Sequence, residues 1–87
     1  MKDKKIEGFK DKLEQSHSWP SLYMFKFIVP AGKEQEVRKL FPKHEMIEKP
    51  SRNGKYISLT TEIMAGSTDQ IINIYLKADR IDGLIAL

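Results

Sequence analysis

His17 and His44 are the two imidazoles that this chain offers a metal, and it has no cysteine. A zinc or copper site takes three or four protein ligands at spacings that hold them together. His17 and His44 lie far apart, with no H-x-H or H-x-x-x-H pairing, so no metal is expected and both read as solvent-exposed imidazoles. Nucleophilic catalysis needs a base within reach of the nucleophile and a group that orients the base. Serines are plentiful, but none sits in a G-x-S-x-G turn, and there is no thiol. No catalytic residue and no cofactor are therefore expected, and the chain reads as a non-enzyme.

The elements that would position any binding residue can be read from periodicity. Met1–Lys5 reads as a frayed tail, and Ile6, Phe9 and Leu13 form one apolar stripe of a short helix over about 6–15. Pro20 disfavours helix at Trp19, which makes 16–21 a connector with Trp19 as its anchor. Leu22–Val29 alternates as a strand, with Phe25, Phe27 and Val29, and Tyr23 in phase with them, on the core face. Lys33–Phe41 reads as a helix through Val37, Leu40 and Phe41, and Pro42 ends it. His44–Lys49 is a weaker edge strand before Pro50. Asn53-Gly54 signals a hairpin, because both residues tolerate positive φ. Lys55–Met64 is the returning strand, with Ile57, Leu59, Thr61 and Ile63 inward. Ser67 and Gln70 fit a capping box for a helix reaching Asp79 through Ile71, Ile74, Tyr75 and Ala78. Leu84–Leu87 is a last short strand.

After residue 20 the order is strand, helix, strand, strand, helix, strand. Its economical packing is an α+β, ferredoxin-like βαββαβ two-layer sandwich: a four-stranded antiparallel sheet, two helices on one face, and an extra N-terminal helix. Residues 1–18 form the charged tail, short helix and connector, and 19–87 a single domain. The open sheet face then presents Lys26, Tyr56, Ser58, Thr60 and Glu62, with Met24 and Ile28 nearby. That mixture of one aromatic, one cation and several hydrogen-bonding groups suits a partner surface. Acylphosphatases share this element order, but they hold phosphate on an Arg-bearing Gly-rich loop after the first strand. Pro30-Ala31-Gly32-Lys33 has one glycine and no arginine, which argues against that chemistry. RNA-recognition modules also share the order and stack bases on aromatics of the sheet. Tyr56 could serve so, but the position two along is Ser58.

Charge weighs the same way. The net charge is +3, of which residues 1–12, with five lysines and three acids, carry +2 and residues 13–87 carry +1. A nearly neutral folded part is a poor electrostatic footprint for nucleic acid, which remains only the alternative reading. The absence of cysteine points to a reducing compartment, the cytoplasm. Met1–Lys12 holds no apolar run, so it reads as neither signal peptide nor membrane anchor.

Several segments carry a resemblance. Tyr23–Val29, then Pro50-Ser51-Arg52-Asn53-Gly54-Lys55-Tyr56-Ile57-Ser58-Leu59-Thr60, then Ile74-Tyr75 and Leu84–Leu87 resemble the YbeD-like family of bacterial proteins of unknown function. The resemblance spans about 19–87 and is most specific at Pro50–Ser58. It implies an ACT-like, ferredoxin-like fold and a small cytoplasmic bacterial protein with a regulatory role. The family's motif residues Lys26, Ser51, Gly54, Tyr56 and Ser58 are matched, whereas Arg52-Asn53 replaces the usual Ser-Lys. The candidate binding set is thus Lys26, Ser51, Gly54, Tyr56, Ser58, Thr60 and Glu62. The expected partner is a protein or a second copy, with a small effector beside Gly32 or at a dimer seam.

Overall fold

The computed structural model describes the backbone of residues 3–87 and the side chains of residues 7–87. Helix α1 (Asp3–Ser16) leads into strand β1 (Ser21–Pro30). Then come helix α2 (Glu34–Arg38), strands β2 (Ile47–Pro50) and β3 (Tyr56–Ala65), helix α3 (Thr68–Ala78) and strand β4 (Ile85–Ala86). The four strands form one antiparallel sheet in the order β2-β3-β1-β4, and the fold is α+β.

β1 and β3 pair residue for residue from Ser21↔Ala65 to Pro30↔Tyr56. Alternation sends Phe25, Phe27 and Val29 of β1 and Leu59, Thr61, Ile63 and Ala65 of β3 to one face, where all are buried. Val37 of α2, Phe41 beyond it, and Ile71, Ile72 and Ala78 of α3 close over them. Each fully buried large side chain contributes about 1.5–3 kcal/mol, so this single layer carries the stability. Thr61, the one polar residue in the strand's inward row, donates from Oγ1 to the Glu45 carbonyl at 2.9 Å.

α1 lies beside α3. Leu13 enters the core, Phe9 meets Tyr75 edge-on with centroids 5.3 Å apart, and Lys10 pairs with Asp69 at 3.2 Å. The Asp69 hydrogen bond and charge raise the Lys10 pKa, but the pair is exposed and holds little on its own. Trp19 anchors the connector as expected: its Nε1–H donates to Thr68 Oγ1 at 2.8 Å and its ring stacks on His17. His17 is therefore half-buried rather than solvent-exposed.

Several boundaries move. The first helix begins at Asp3, inside the expected frayed tail; Met1, Lys2 and the Ile6 side chain lie outside the described residues. The second helix is one turn and a half, because 3₁₀-type bonds Leu40→Val37 and Phe41→Arg38 take over after Arg38 and tighten the chain toward Pro42. β2 starts at Ile47 rather than His44, since His44 amide bonds back to Phe41 and leaves the ladder. β4 is two residues rather than four.

Asn53 works differently from the expectation. Only Gly54 takes positive φ (72°) in the β2–β3 hairpin; Asn53 instead accepts the Lys55 N–H on Oδ1 at 3.1 Å. The capping box forms with an offset. Ser67 Oγ accepts from the Gln70 amide at 3.2 Å, while Gln70 Oε1 reaches the Gly66 amide rather than that of Ser67.

Gly83 is the tightest backbone position. Its φ is 77°, and a Cβ there would meet Pro30 Cγ at 2.7 Å. Gly83→Ala therefore combines left-handed strain of about 1–2 kcal/mol with a clash against a rigid ring. Gly54→Ala carries the strain alone, with open space around the added carbon. In urea unfolding, Gly83→Ala should lower stability by clearly more than Gly54→Ala; equal losses would mean that Pro30 yields freely.

Candidate functional site

The face of the sheet opposite the helices is open. Register places Lys26 beside Thr60, Ile28 beside Ser58, Met24 beside Glu62 and Pro30 beside Tyr56. Facing residues on one side of an antiparallel pair have Cβ atoms about 5 Å apart. Lys26, Ser58, Thr60 and Glu62 therefore stand together at the centre, with Tyr56 at the end near the hairpin. Ser58 is partly committed, since its hydroxyl donates to the Lys49 carbonyl on β2 at 3.3 Å.

Ser51 and Gly54 do not join that group. Ser51 Oγ accepts the Tyr56 N–H at 3.1 Å and donates to Asn53 Oδ1 at 2.9 Å, while its amide donates to the Tyr56 carbonyl at 2.8 Å. These bonds fold the loop on itself and fix where Tyr56 emerges. Ser51 and Gly54 position the site rather than line it.

The same register adds residues that sequence periodicity left out. Leu22 faces Met64, Ile47 of β2 faces Thr60, Lys49 faces Ser58, and Ile85 of β4 faces Ile28, all on the open side. Eight large apolar side chains are exposed among the described residues. Six of them, Leu22, Met24, Ile47, Tyr56, Met64 and Ile85, are on this face. The alternation of β1 and β3 already implied Leu22 and Met64. Ile47 and Ile85 needed the strand order, which no local pattern supplies.

On the helix side, a cavity of about 330 Å³ opens between α1, α3 and β4. Phe9, Tyr23, Tyr75, Leu84 and Leu87 wall it, and Asp79 belongs to its lining. The Tyr23 and Tyr75 hydroxyls share a hydrogen bond at 3.1 Å. Burial, and then that bond, push the Tyr75 phenol pKa well above its ordinary value. At the Gly32 turn, where a small effector is expected, the exposed Gly32 amide donates to the Glu34 carboxylate. Among the described residues no three His, Asp or Glu side chains gather as a metal site.

The family of proteins of unknown function DUF493 matches residues 14–86. The chain belongs to that family. No curated protein and no solved structure matches it. The matched span covers the whole sheet and both later helices, whereas Phe9, Lys10 and Leu13 of α1 precede it. No described helix is long and apolar enough to cross a membrane.

Tyr75 gives the site a pH signature. Its folded pKa lies above the unfolded value of about 10, so the unfolded chain loses that proton first. The stabilisation is complete below pH 10 and is lost as pH rises toward the folded pKa. Urea midpoints should fall between pH 9 and 11 in the wild type and fall less in Tyr75→Phe. Parallel curves would show that Tyr75 ionises equally easily in both states.

Proposed function

We propose that the protein is a non-enzymatic binding module that engages another protein surface, a second copy of this chain in the first instance, through the open sheet face. The observation that carries this reading is the concentration there of six of the eight exposed large apolar side chains. Singly scattered apolar residues on a surface are ordinary, but their concentration on one face marks an interaction site. Lys26 and Glu62 stand at the centre of this apolar set and Lys49 on its β2 side, and neither histidine stands among them. Lys26 and Glu62 lie on a diagonal across β1 and β3, so a two-fold axis that bisects the line between them would set the lysine of one copy against the glutamate of the other.

Size decides how tight such an association is. The ten-residue strands run about 33 Å and four strands span about 15–19 Å, but the edge strands are short, leaving roughly 500 Å² of face. A standard stable interface buries about 800 Å² per partner. The pairing is therefore transient, as suits a regulatory contact that exchanges partners. The strand order β2-β3-β1-β4 with the helices on one side supports the ferredoxin-like, ACT-like reading, and membership of a family without assigned function agrees with the YbeD-like resemblance. A cytoplasmic bacterial setting fits a chain without cysteine. Single-stranded nucleic acid draws less support, because Tyr56 is the only aromatic side chain on the face and its neighbours are Ser58 and Pro30.

Light scattering over a concentration series tests the reading. The weight-average mass should climb from the monomer toward twice its value at high concentration. The double variant Lys26→Ala/Tyr56→Ala, or Met24→Glu, should keep it at the monomer. Association that survives all three substitutions would remove the open face from consideration. A monomer at every concentration would move the reading to a different protein, and capture by wild type but not by Met24→Glu would then be required.

A further inference from the structure

The cavity on the helix side is separate from the open face, and its chemistry is different. Phe9 and Tyr75 meet edge-to-face at 5.3 Å, and Tyr23 and Tyr75 stand nearly perpendicular with centroids 6.4 Å apart. Leu84 and Leu87 add to its apolar wall, and the hydrogen-bonded Tyr23–Tyr75 hydroxyl pair and Asp79 bring polar groups to its lining. A volume of about 330 Å³ is at the small end of organic-ligand sites and roughly twice what one benzene ring requires.

We propose that this cavity binds a small neutral molecule composed of an apolar, ring-sized body and one hydroxyl or carbonyl oxygen. The hydroxyl pair dictates the oxygen. One phenol donates to the other at 3.1 Å, so the pair keeps a second O–H and its lone pairs for a guest. An apolar molecule lacking that oxygen leaves the pair without a partner when it displaces water, and this costs affinity. Charge is excluded by the surroundings. The burial that raises the Tyr75 pKa also penalises any charged guest, anion or cation, that gives up its water there.

The guest would also touch three separate elements. Phe9 is on α1, Tyr75 on α3 and Leu84 precedes β4, while β4 itself pairs with β1 at only two positions. Occupancy therefore ties α1 and β4 to the rest of the domain, and a bound state differs from the free state mainly at these two peripheral elements.

Titration of the full-length, isotope-labelled chain by amide NMR tests this with three probes: p-cresol, toluene and benzoate. p-Cresol should shift the amides of Tyr23, Asp79 and 84–87 saturably. Toluene should bind the same residues about five- to tenfold more weakly, the worth of one neutral hydrogen bond. Benzoate should leave them unmoved. In Tyr23→Phe/Tyr75→Phe, p-cresol should fall to the affinity of toluene. Ala86→Phe, which fills the cavity from an exposed position, should abolish both; were it not to fold, the comparison in the double Phe variant decides. Equal binding of p-cresol and toluene to the wild type, or benzoate matching p-cresol, would overturn the proposal. So would shifts confined to Lys26, Tyr56 and Ser58, and that outcome would leave the open-face reading standing by itself.

Discussion

Ten consecutive pairs between β1 and β3, without a bulge, are the constraint on which everything else rests. Because side chains alternate at every residue, an unbroken register sorts twenty residues into two faces. One face, Phe25, Phe27, Val29, Leu59 and Ile63, has a single solution: bury itself under helices. The other is left with Leu22, Met24, Lys26, Thr60, Glu62 and Met64, too apolar for a plain solvated surface and too charged for a core. Neither face could be altered alone. A single inserted residue in β1 would exchange the two along the rest of the strand.

The peripheral elements divide the remaining labour. β2 and β4 are short and add Ile47, Lys49 and Ile85 to the open face rather than extending the core. α1 is held by Leu13, by Phe9 against Tyr75 and by the Trp19–Thr68 hydrogen bond, all of which bear on α3 or the connector. The cavity lies at this junction, lined by Phe9 of α1, Tyr75 of α3 and Ala86 of β4. The two sites therefore sit on opposite sides of the same ribbon, with Tyr23 contributing to one and its neighbours Leu22 and Met24 to the other.

Much of this was legible in the chain. The alternation in Tyr23–Val29 and Ile57–Ile63 gave the inward and outward residues correctly, since period two is a strong local signal that tertiary context did not override. Ser67 and Gln70 marked the start of α3 for an equally local reason. What escaped depended on distant partners. Ile72 falls off the expected stripe of α3 and is buried all the same, a position that the period of the helix alone did not mark. Asn53 was read by its backbone tolerance and acts by its side-chain oxygen. Ile47 and Ile85 joined the candidate site only through strand order, and the cavity arises from three segments that no spacing rule connects. Ser51 and Gly54, singled out with the binding set, turned out to shape the hairpin beneath Tyr56.

The ribbon also has a direction in time. Its pair nearest the hairpin, Pro30 with Tyr56, closes a loop of 25 residues, whereas Ser21 with Ala65 closes one of 43. Closure entropy grows with the logarithm of loop length, so starting at the far end costs about 0.5 kcal/mol more. The β2–β3 hairpin, once formed, shortens the near loop further. Chain entropy therefore favours zipping from Val29 and Ile57 outward by about a factor of two, with the Ser21 end of β1 pairing last on that route.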